Sequence, residues 1–526
     1  KSRGHIVKGI NSSWVISEGS SRDNLKKLIK EGVFNFQPDV IATGGMVAEY
    51  LFVKDSIDFS REFAPNTPII CGGSILTNDK QSFEVLKPDF GIMDEGEFPI
   101  IELLSALEGE KNYKQIDNLA FWENEKSVYN KLRNANYGLD EIPYPDYDAL
   151  EIQKYFDLSN QLDNSFHVRT QKYPRMLPLS SGRSCPFKCT FCQYSTLDGS
   201  RRKYRGRSMK SVVDEIIFFK SKYDFNILKI YDDLFSVKSE RIYEFCDLLN
   251  KSSVKINWNA SMRVGDVTPD LLKAMKNAGC IHIGYGFESA DDGVLKSMNK
   301  QITQKQISDA IEMTENVKLG VQGNFIYGDP HESLESIENT KDFHEKHCID
   351  HIVHNDYIMP YPGSPIFDHS MQKGLITNKT AYCETLHLRP RYNMTNIPDK
   401  DFNENIEPII RSKLFGCKFA KINKFTIDRN KKFDNLYFKN KIPYNIDLSC
   451  PHCNSKQEVV LPIDVANLNT WEGKSKFVNP IRYFCNECHK NYLISFLELI
   501  GLKENLMEFI KRVNKLIDQD NTFVVA

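Results

Sequence analysis

The sequence predicts an α/β protein of three parts. Short branched apolar runs alternate with helical patterns over the first 110 residues, and the same alternation resumes for six more strands after a Pro- and Tyr-rich stretch. Two C-x2-C pairs then lie in β-rich sequence near the carboxyl end. These observations predict an amino-terminal doubly wound domain (1–140), a linker (141–170), a partial (β/α)6 barrel (171–400) and a four-cysteine ribbon domain with terminal helices (401–526).

Composition narrows the class of protein. Hydrophobic residues make up 41% and charged residues 26% of the 526, which is ordinary for a globular chain. The 68 Lys and Arg nearly balance the 70 Asp and Glu, so the charge argues against nucleic acid as a partner. No run approaches the ~18 apolar residues of a membrane helix, and the first residues lack the apolar core of a signal peptide. The thirteen cysteines, mostly closely spaced, suit metal binding in a reducing cytoplasm.

The first domain is predicted from two apolar runs that each end in a Gly pair. "DVIATGG" (39–45) and "TPIICGG" (67–73) are typical of buried parallel strands, and residues 47–63 between them are long enough for a crossover helix. Residues 89–109 add a strand, a Glu/Gly turn and an amphipathic helix. Such Rossmann-like domains bind ligands at the carboxyl ends of their strands. A domain with nothing bound is the alternative.

The central region is predicted as a parallel barrel because strands and helices alternate for about 200 residues. Helices are predicted to begin at Ser211, Lys238, Pro269, Thr303 and Leu334. Chemistry is expected at the carboxyl ends of the strands. The predicted strands are "MLPL" followed by "SSG", "ILKIYDD" (227–233), "KINWNAS" (255–261), "IHIGYGFES" (281–289), "VQGNFIYG" (321–328) and "HIVHNDYIMPYPG" (351–363).

Three cysteines follow the first barrel strand in "RSCPFKCTFCQYS" (183–195). Cys185, Cys189 and Cys192 form a C-x3-C-x2-C run, and Phe187 and Phe191 lie where they would shield a cluster from water. A four-iron cluster ordinarily takes four thiolates, so three leave one iron open for chemistry. The alternatives are a zinc site or scattered core cysteines.

This run, placed after the first strand of a six-strand barrel, resembles the radical S-adenosylmethionine (SAM) enzymes. Four downstream segments are similar to later strand ends of that family: 231–236, 284–300, 323–340 and 359–368. The resemblance implies a [4Fe–4S] cluster on the three cysteines whose open iron binds SAM. It further implies reductive cleavage of SAM to a 5′-deoxyadenosyl radical that abstracts a substrate hydrogen.

The resemblance also implies roles for polar residues at the strand ends. Glu288 is expected to bind the SAM ribose, with a structural salt bridge as the alternative. Asp232 and Asp233 are expected to contact the SAM ammonium or the substrate, or else to cap the next helix. Tyr194 is a candidate for the adenine.

Arg183 and Arg263 are candidates for the SAM carboxylate or an anionic substrate. Tyr327 and Tyr361 are candidates for the substrate pocket, although aromatic strand residues more often belong to the core.

The amino-terminal domain, with "CGGSIL" and "DEGEFPIIELL", resembles the cobalamin-binding subgroup of these enzymes. The glycines are expected to allow close approach of a flat corrin. The D-x-H-x-x-G loop of many cobalamin proteins is not present. His5 lies in "RGHIVKG", which lacks the Asp and has a different Gly spacing. Cobalamin is therefore expected without an axial histidine; an empty domain is the alternative. The glycines concerned are Gly44, Gly45, Gly72 and Gly73.

The carboxyl-terminal knuckles "CPHC" and "CNEC" match a closed tetrahedral zinc site, although the 31 residues between them exceed the usual spacing. An auxiliary iron–sulfur cluster is the competing interpretation. His452 and His489 are expected to lie beside the site and not to ligate the metal. The expected ligands are Cys450, Cys453, Cys485 and Cys488.

The leading functional hypothesis is a cobalamin-dependent radical SAM methyltransferase of unactivated carbon. The alternatives are a cyclase or rearrangement catalyst on the same scaffold, and a tRNA-modifying radical SAM enzyme. The expected partners are a small-molecule or peptide substrate and a reductant such as flavodoxin or ferredoxin, with no membrane and a cytoplasmic location.

Overall fold

The structure is a computed structural model in which three sheet-containing regions follow one another along the chain. The predicted terminal helices (496–517) and part of the predicted linker lie outside the described residues. The structure describes residues 4–10, 22–134, 137–156, 175–194, 203–411, 418–427, 442–463, 481–494 and 522–524.

The first region is a five-stranded sheet in the order β1-β2-β3-β4-β5. Its strands are β1 (Ile41–Gly44), β2 (Ile69–Gly72), β3 (Phe90–Ile92), β4 (Leu119–Glu123) and β5 (Lys126–Tyr129). The first three strands are parallel, as predicted, and β4 and β5 extend the sheet as an antiparallel hairpin that the sequence analysis missed. Its helices are Arg22–Phe36, Tyr50–Phe63, Ser74–Thr77, Gln81–Leu86 and Glu97–Leu107.

Helices cover both faces of this sheet, as a doubly wound domain requires. Ile69 and Cys71 of β2 pack with Val53 and Ile57 of the helix that follows β1. The residue between them, Ile70, points to the other face of the sheet and packs in the cluster that contains Leu103 of the helix Glu97–Leu107. Because side chains alternate along a strand, β2 contributes residues to two separate hydrophobic cores, one on each face of the sheet.

The central region is a six-stranded parallel sheet in the order β13-β12-β11-β10-β9-β6, which confirms the six predicted strands. A two-stranded hairpin, β7–β8, follows β6. In the described chain β6 and β13 are the two edges, so the barrel is open between them. The strands are β6 (Met176–Leu179), β7 (Gly182–Arg183), β8 (Arg205–Gly206), β9 (Ile227–Ile230), β10 (Asn257–Met262), β11 (Cys280–Glu288), β12 (Gly320–Tyr327) and β13 (Ile352–Tyr357).

Several helices of this region begin at a residue whose side chain caps the first turn. The side chains of Ser208, Thr268, Thr303 and Ser333 each accept a hydrogen bond from a backbone N–H of the first turn. The helices are Met209–Lys222, Ser239–Lys251, Pro269–Asn277, Asp292–Ser297, Gln304–Asn316, Leu334–His347, Pro365–Gln372, Lys379–Thr385 and Asp399–Arg411.

Residues on both sides of two predicted domain boundaries pack into the same core. Tyr147 and Phe156, in the predicted linker, lie in the barrel core. The helix Asp399–Arg411 contributes Phe402 and Ile406 to the same core, although the barrel was predicted to end at residue 400. Apolar residues at helical spacing, more than composition, decide where the barrel ends.

The third region contains an antiparallel sheet in the order β16-β15-β14-β19 and a separate hairpin, β17–β18. Between the described ends of β16 and β17, residues 464–480 are not described. No helix among the described residues has the length and apolar character needed to cross a membrane. The strands are β14 (Lys421–Ile427), β15 (Ile442–Ser449), β16 (Lys456–Ile463), β17 (Ile481–Phe484), β18 (Asn491–Ile494) and β19 (Thr522–Val524).

Candidate active site and metal centre

The three-cysteine loop lies at the carboxyl end of β6 and is tied to neighbouring elements by its backbone. The Thr190 N–H donates to the Met298 carbonyl at 3.0 Å, and the Thr190 carbonyl accepts from Ile366 N–H at 3.2 Å. The Asn299 side chain donates to the Lys188 carbonyl at 2.8 Å. The loop is therefore held in one conformation by the segments after β11 and β13.

The sulfur atoms of this loop are spread more widely than a single ion requires. In the described residues, one group of metal-ligating side chains has all its ligand atoms within 4.8 Å of one another, and Cys185, Cys189 and Cys192 are not part of it. A four-iron cube separates its thiolates more than one zinc ion does, so the spacing favours the cluster over zinc. Burial raises the pKa of Cys192 to about 11 and also raises that of Cys189, against the opposing charge of Lys300.

Asp232 fixes the start of this loop. Its Oδ1 accepts hydrogen bonds from the backbone N–H of Ser181 at 2.6 Å and of Gly182 at 3.1 Å, and its Oδ2 accepts from the Ser181 hydroxyl at 2.5 Å. Burial raises the pKa of Asp232 although these bonds oppose the shift. The carboxylate is thus turned toward the loop backbone, which the sequence analysis did not anticipate.

Its neighbour Asp233 has a different position. The Asp233 Oδ2 accepts from the Ser184 N–H at 3.0 Å, and the side chain lines a cavity of about 310 Å³. The cavity lies between the cysteine loop and the ends of β10, β11 and β12. It is lined by Cys185, Phe187, Cys189, Asp233, Leu234, Ser261, Met262, Arg263, Gly284, Tyr285, Gly286, Glu288, Lys300, Gln322 and Asn324.

Glu288 ends β11 at this cavity with a left-handed backbone, φ 66°. Its Oε1 pairs with Lys300 Nζ at 2.9 Å, and its Oε2 accepts from the Asn324 amide at 2.5 Å. Burial opposes the charge on Lys300, but the carboxylate raises the pKa of Lys300 overall. Positive φ is uncommon outside glycine, so the neighbouring structure holds Glu288 in place.

Arg263 and Tyr194 flank the cysteine loop. The Arg263 guanidinium lies 4.1 Å from the centre of the Phe187 ring and donates to the Lys300 carbonyl at 3.0 Å. Tyr194 is half-buried two residues after Cys192, and burial raises its pKa to about 12.

The three remaining candidates lie away from this cavity. Tyr327 belongs to the barrel core, and burial raises its pKa. Tyr361 packs against the core of the first region. Arg183 forms ion pairs with Glu95 and Glu97 of the first region.

An ion cluster joins the first region to the cysteine loop. Glu95, after β3, pairs with Arg183 at 3.2 Å and also contacts Arg205 and the Tyr137 hydroxyl. Glu97 pairs with Arg183 as well. Burial opposes ionisation of Glu97, but the hydrogen bond and charge of Arg183 lower its pKa overall. The two glutamates of the "DEGE" stretch (94–97) were visible in the sequence, but the sequence analysis did not predict that they pair with Arg183.

The Gly pairs lie side by side at the carboxyl ends of β1 and β2, where Gly44 is in register with Gly72. A Cβ on Gly44 would collide with the Gly72 carbonyl, and one on Gly73, at φ 93°, would collide with the backbone of Gly45. A Cβ on Gly72 would meet only the Ile92 carbonyl, at 3.8 Å. Gly44 and Gly73 therefore serve close strand packing, and Gly72 faces open space.

The second site brings four thiols together at the two knuckles. The Sγ atoms of Cys450 and Cys488 lie 3.8 Å apart, and those of Cys453 and Cys485 lie 3.5 Å apart. A tetrahedron with zinc–sulfur bonds of ~2.3 Å has edges of about 3.8 Å, so the four thiols fit one ion. Hydrogen bonding with Cys450 and Cys488 lowers the pKa of the Cys485 thiol.

Both nearby histidines point to other partners. The His452 ring nitrogen Nε2 lies 2.8 Å from the Asn491 carbonyl, and the His489 Nε2 lies 3.1 Å from Lys276 Nζ. Lys490 pairs with Glu315 at 2.8 Å and with Asp350 at 3.3 Å. These barrel residues precede strands, so the four-cysteine site packs against the amino ends of the barrel strands.

Comparison with known proteins agrees with this geometry. Residues 179–344 match the Radical SAM superfamily. The chain is 29% identical to an uncharacterized methyltransferase of Pyrococcus horikoshii over 71% of this chain and 76% of that protein. It is 26% identical to the anaerobic magnesium-protoporphyrin IX monomethyl ester cyclase of Cereibacter sphaeroides, over 61% of this chain but only 50% of the cyclase.

The fold also matches a solved structure. The radical SAM methyltransferase TsrM of Kitasatospora setae, with cobalamin and a [4Fe–4S] cluster bound, has a TM-score of 0.56 at 13% identity, over 71% of this chain and 70% of that one. An open parallel barrel with a three-cysteine loop at its first strand end defines a class of cluster-bearing α/β enzymes. Residues 179–344, which span the barrel from β6 to the helix after β12, form a radical SAM domain.

Proposed function

We propose that the protein is a cobalamin-dependent radical SAM methyltransferase acting on an unactivated carbon. The observation that carries the proposal is the ion cluster of Glu95 and Glu97 with Arg183, two residues before Cys185. It sets the carboxyl edge of the first region's sheet beside the cysteine loop, where a corrin and a SAM cluster would meet one substrate. The similarity to a protein named as a methyltransferase supports it.

Cys185, Cys189 and Cys192 would hold the [4Fe–4S] cluster, and three thiols on one loop beside a cavity that Cys185 and Cys189 line fit that group. When bound, the cluster and SAM supply a 5′-deoxyadenosyl radical, and cobalamin supplies the methyl group. Phe187 excludes water on one side of the loop, under the Arg263 guanidinium.

Glu288, Arg263 and Asp233, which line the cavity, and Tyr194, which follows the cysteine loop, are proposed to bind SAM. Glu288, oriented by Lys300 and Asn324, would accept from the ribose hydroxyls, so its salt bridge serves to position it. Arg263 would bind the SAM carboxylate, Asp233 the ammonium, and Tyr194 the adenine. For Asp232 we propose a positioning role, because its oxygens are already engaged by the loop backbone.

Cobalamin would lie on the glycine-ended strands of the first region. The open side of Gly72 fits a flat macrocycle, while Gly44 and Gly73 allow the two strand ends to lie close together. A Cβ on Gly45 would collide with the Glu49 side chain, so Gly45 makes room for the segment that follows β1. No histidine stands in a D-x-H-x-x-G loop, so we propose that no imidazole of this chain ligates the cobalt.

A cyclase or rearrangement reaction on the same scaffold is the second candidate. The similarity to the magnesium-protoporphyrin cyclase favours it, although this chain spans only half the length of that enzyme. A tRNA-modifying reaction has less support, because the net charge of −2 offers no excess of positive charge for phosphates.

For the four-cysteine site we propose structural zinc. The Sγ separations of 3.8 Å and 3.5 Å match the edges of one tetrahedral ion site, which favours a closed zinc site over an auxiliary cluster. We also propose a cytoplasmic location, with flavodoxin or ferredoxin as the reductant.

The test is an anaerobic incubation of reconstituted protein with deuterated-methyl SAM, hydroxocobalamin, reductant and extract of the source organism. Label in a metabolite or peptide fraction, together with 5′-deoxyadenosine, is the expected result. Formation of 5′-deoxyadenosine without methyl label would contradict methyl transfer and favour the second candidate. Label in tRNA would favour the third.

A further inference from the structure

The inner face of the open barrel sheet is lined by small and polar side chains. Along β11 and β12, Tyr285, Phe287, Phe325 and Tyr327 point outward into the barrel core. The residues that alternate with them are partly accessible on the inner face, as the burial pattern of both strands shows. The inner residues that line the cavity are Gly284, Gly286, Gln322 and Asn324. The apolar Ile326, further along β12, packs instead against a separate apolar cluster.

Three of the inner positions lie side by side beneath the cysteine loop. Ser261 of β10 is in register with Gly284 of β11, which is in register with Gln322 of β12. All three line the cavity together with Cys185 and Cys189. A Cβ on Gly284 would meet nothing closer than Ser261 Oγ, at 3.5 Å, so the glycine leaves space between the two polar side chains. We name Ser261, Gly284 and Gln322 the polar platform.

The polar groups of the platform are not used by the protein. Within the part of the chain that the structure describes, the side chains of Ser261 and Gln322 form no hydrogen bond with the protein. Asn324, one inner position further along β12, differs because its amide is taken by Glu288. A hydroxyl and a carboxamide therefore remain available to a molecule in the cavity.

We propose that the polar platform binds the substrate through a hydroxyl or carboxamide group, and that the substrate is a water-soluble, hydrogen-bonding molecule and not a tetrapyrrole. The inference rests on the proposed function only in taking this cavity as the place of radical chemistry. It holds for methyl transfer and for rearrangement alike.

The chemistry of the platform sets this preference. Serine and glutamine side chains each donate and accept hydrogen bonds, so they complement groups that do the same. A flat apolar ring over the platform would desolvate both groups and leave them unpaired, which is costly. Sites built to hydrogen-bond a substrate group reject analogues that lack it far more strongly than apolar pockets reject a missing methylene.

The first test uses reconstituted holoenzyme and the rate of 5′-deoxyadenosine formation. The probes are the aqueous small-molecule fraction of the source organism, a chloroform–methanol extract of the same cells, and magnesium-protoporphyrin IX monomethyl ester. We expect stimulation by the aqueous fraction alone. Stimulation by the lipid extract or by the porphyrin, without stimulation by the aqueous fraction, would overturn the proposal.

The second test assigns the recognition to the platform. Gln322→Leu should weaken the response to the aqueous fraction at least tenfold, and Gln322→Asn, which keeps the carboxamide, should recover part of it. The matched control is Gln304→Leu, the same change at an exposed residue on the outside of the barrel. Iron content and the thermal unfolding midpoint of each variant report whether it folds.

SAM binding separates the platform from the cofactor site. The dissociation constant of SAM, measured by anaerobic equilibrium dialysis, should stay within twofold of wild type in Gln322→Leu. A tenfold loss of SAM affinity would overturn the proposal, because the platform would then serve SAM. If the aqueous fraction stimulates the enzyme but no deuterated methyl is transferred, the methyltransferase proposal fails and the polar platform stands.

Discussion

Replacing Asp232 by alanine removes the acceptor that holds the backbone before the cysteine loop. Four hydrogen bonds are lost, from Ser181 N–H, Gly182 N–H and the hydroxyls of Ser180 and Ser181. Two buried N–H groups are left unpaired, at about 1–3 kcal/mol each, or about 2–6 kcal/mol together. Removing a buried carboxylate recovers part of this cost, since burial raises its pKa. We expect a net loss of about 2–4 kcal/mol in the free energy of unfolding.

The assay compares Asp232→Ala with Asp232→Asn, whose amide oxygen can still accept from both N–H groups. Under anaerobic conditions the alanine variant should lose stability and reconstitute with less iron per chain, while the asparagine variant should stay close to wild type. SAM affinity per assembled cluster should be unchanged in both. An alanine variant with full stability and full iron content that no longer binds SAM would refute the positioning role and restore Asp232 as a SAM ligand.

Three further predictions concern the proposed cofactors. Cys189→Ala should abolish cluster assembly and 5′-deoxyadenosine formation; full iron content in the variant would contradict the cluster assignment. Gly72→Val should block uptake of hydroxocobalamin without loss of stability, whereas Gly73→Val should destabilise the domain because its φ is 93°; normal uptake by a folded Gly72→Val would argue against a corrin there. Elemental analysis should find about one zinc per chain, lost in Cys485→Ser; iron in place of zinc would favour an auxiliary cluster.

The parts of the site that follow from spacing along the chain were predictable from the sequence. The C-x3-C-x2-C run and the two C-x2-C pairs are short-range patterns, and the six barrel strands follow from apolar runs bounded by helix caps. Partners that come from distant segments were not predictable. Glu288 and Lys300 are close in sequence, but Asn324 reaches Glu288 only because β11 and β12 are neighbours.

The two strand-end aspartates and Arg183 show the same limit. Nothing local distinguishes Asp232 from Asp233, and both accept from the loop backbone, yet only Asp233 also lines the cavity. The pairing of Arg183 with Glu97 joins residues 86 positions apart. Such contacts depend on how two domains pack, which periodicity and composition do not encode.

The core of the first region has a consequence for synthesis on the ribosome. Phe367, Tyr382 and Leu386, from the helices after β13, are buried among Tyr50, Val53 and their neighbours in that core. The amino-terminal domain therefore emerges first but cannot complete its core until the chain has been translated past residue 386. Because domains generally fold from the amino terminus as they appear, this one would wait for the whole barrel, with part of its apolar surface exposed to chaperones in the meantime.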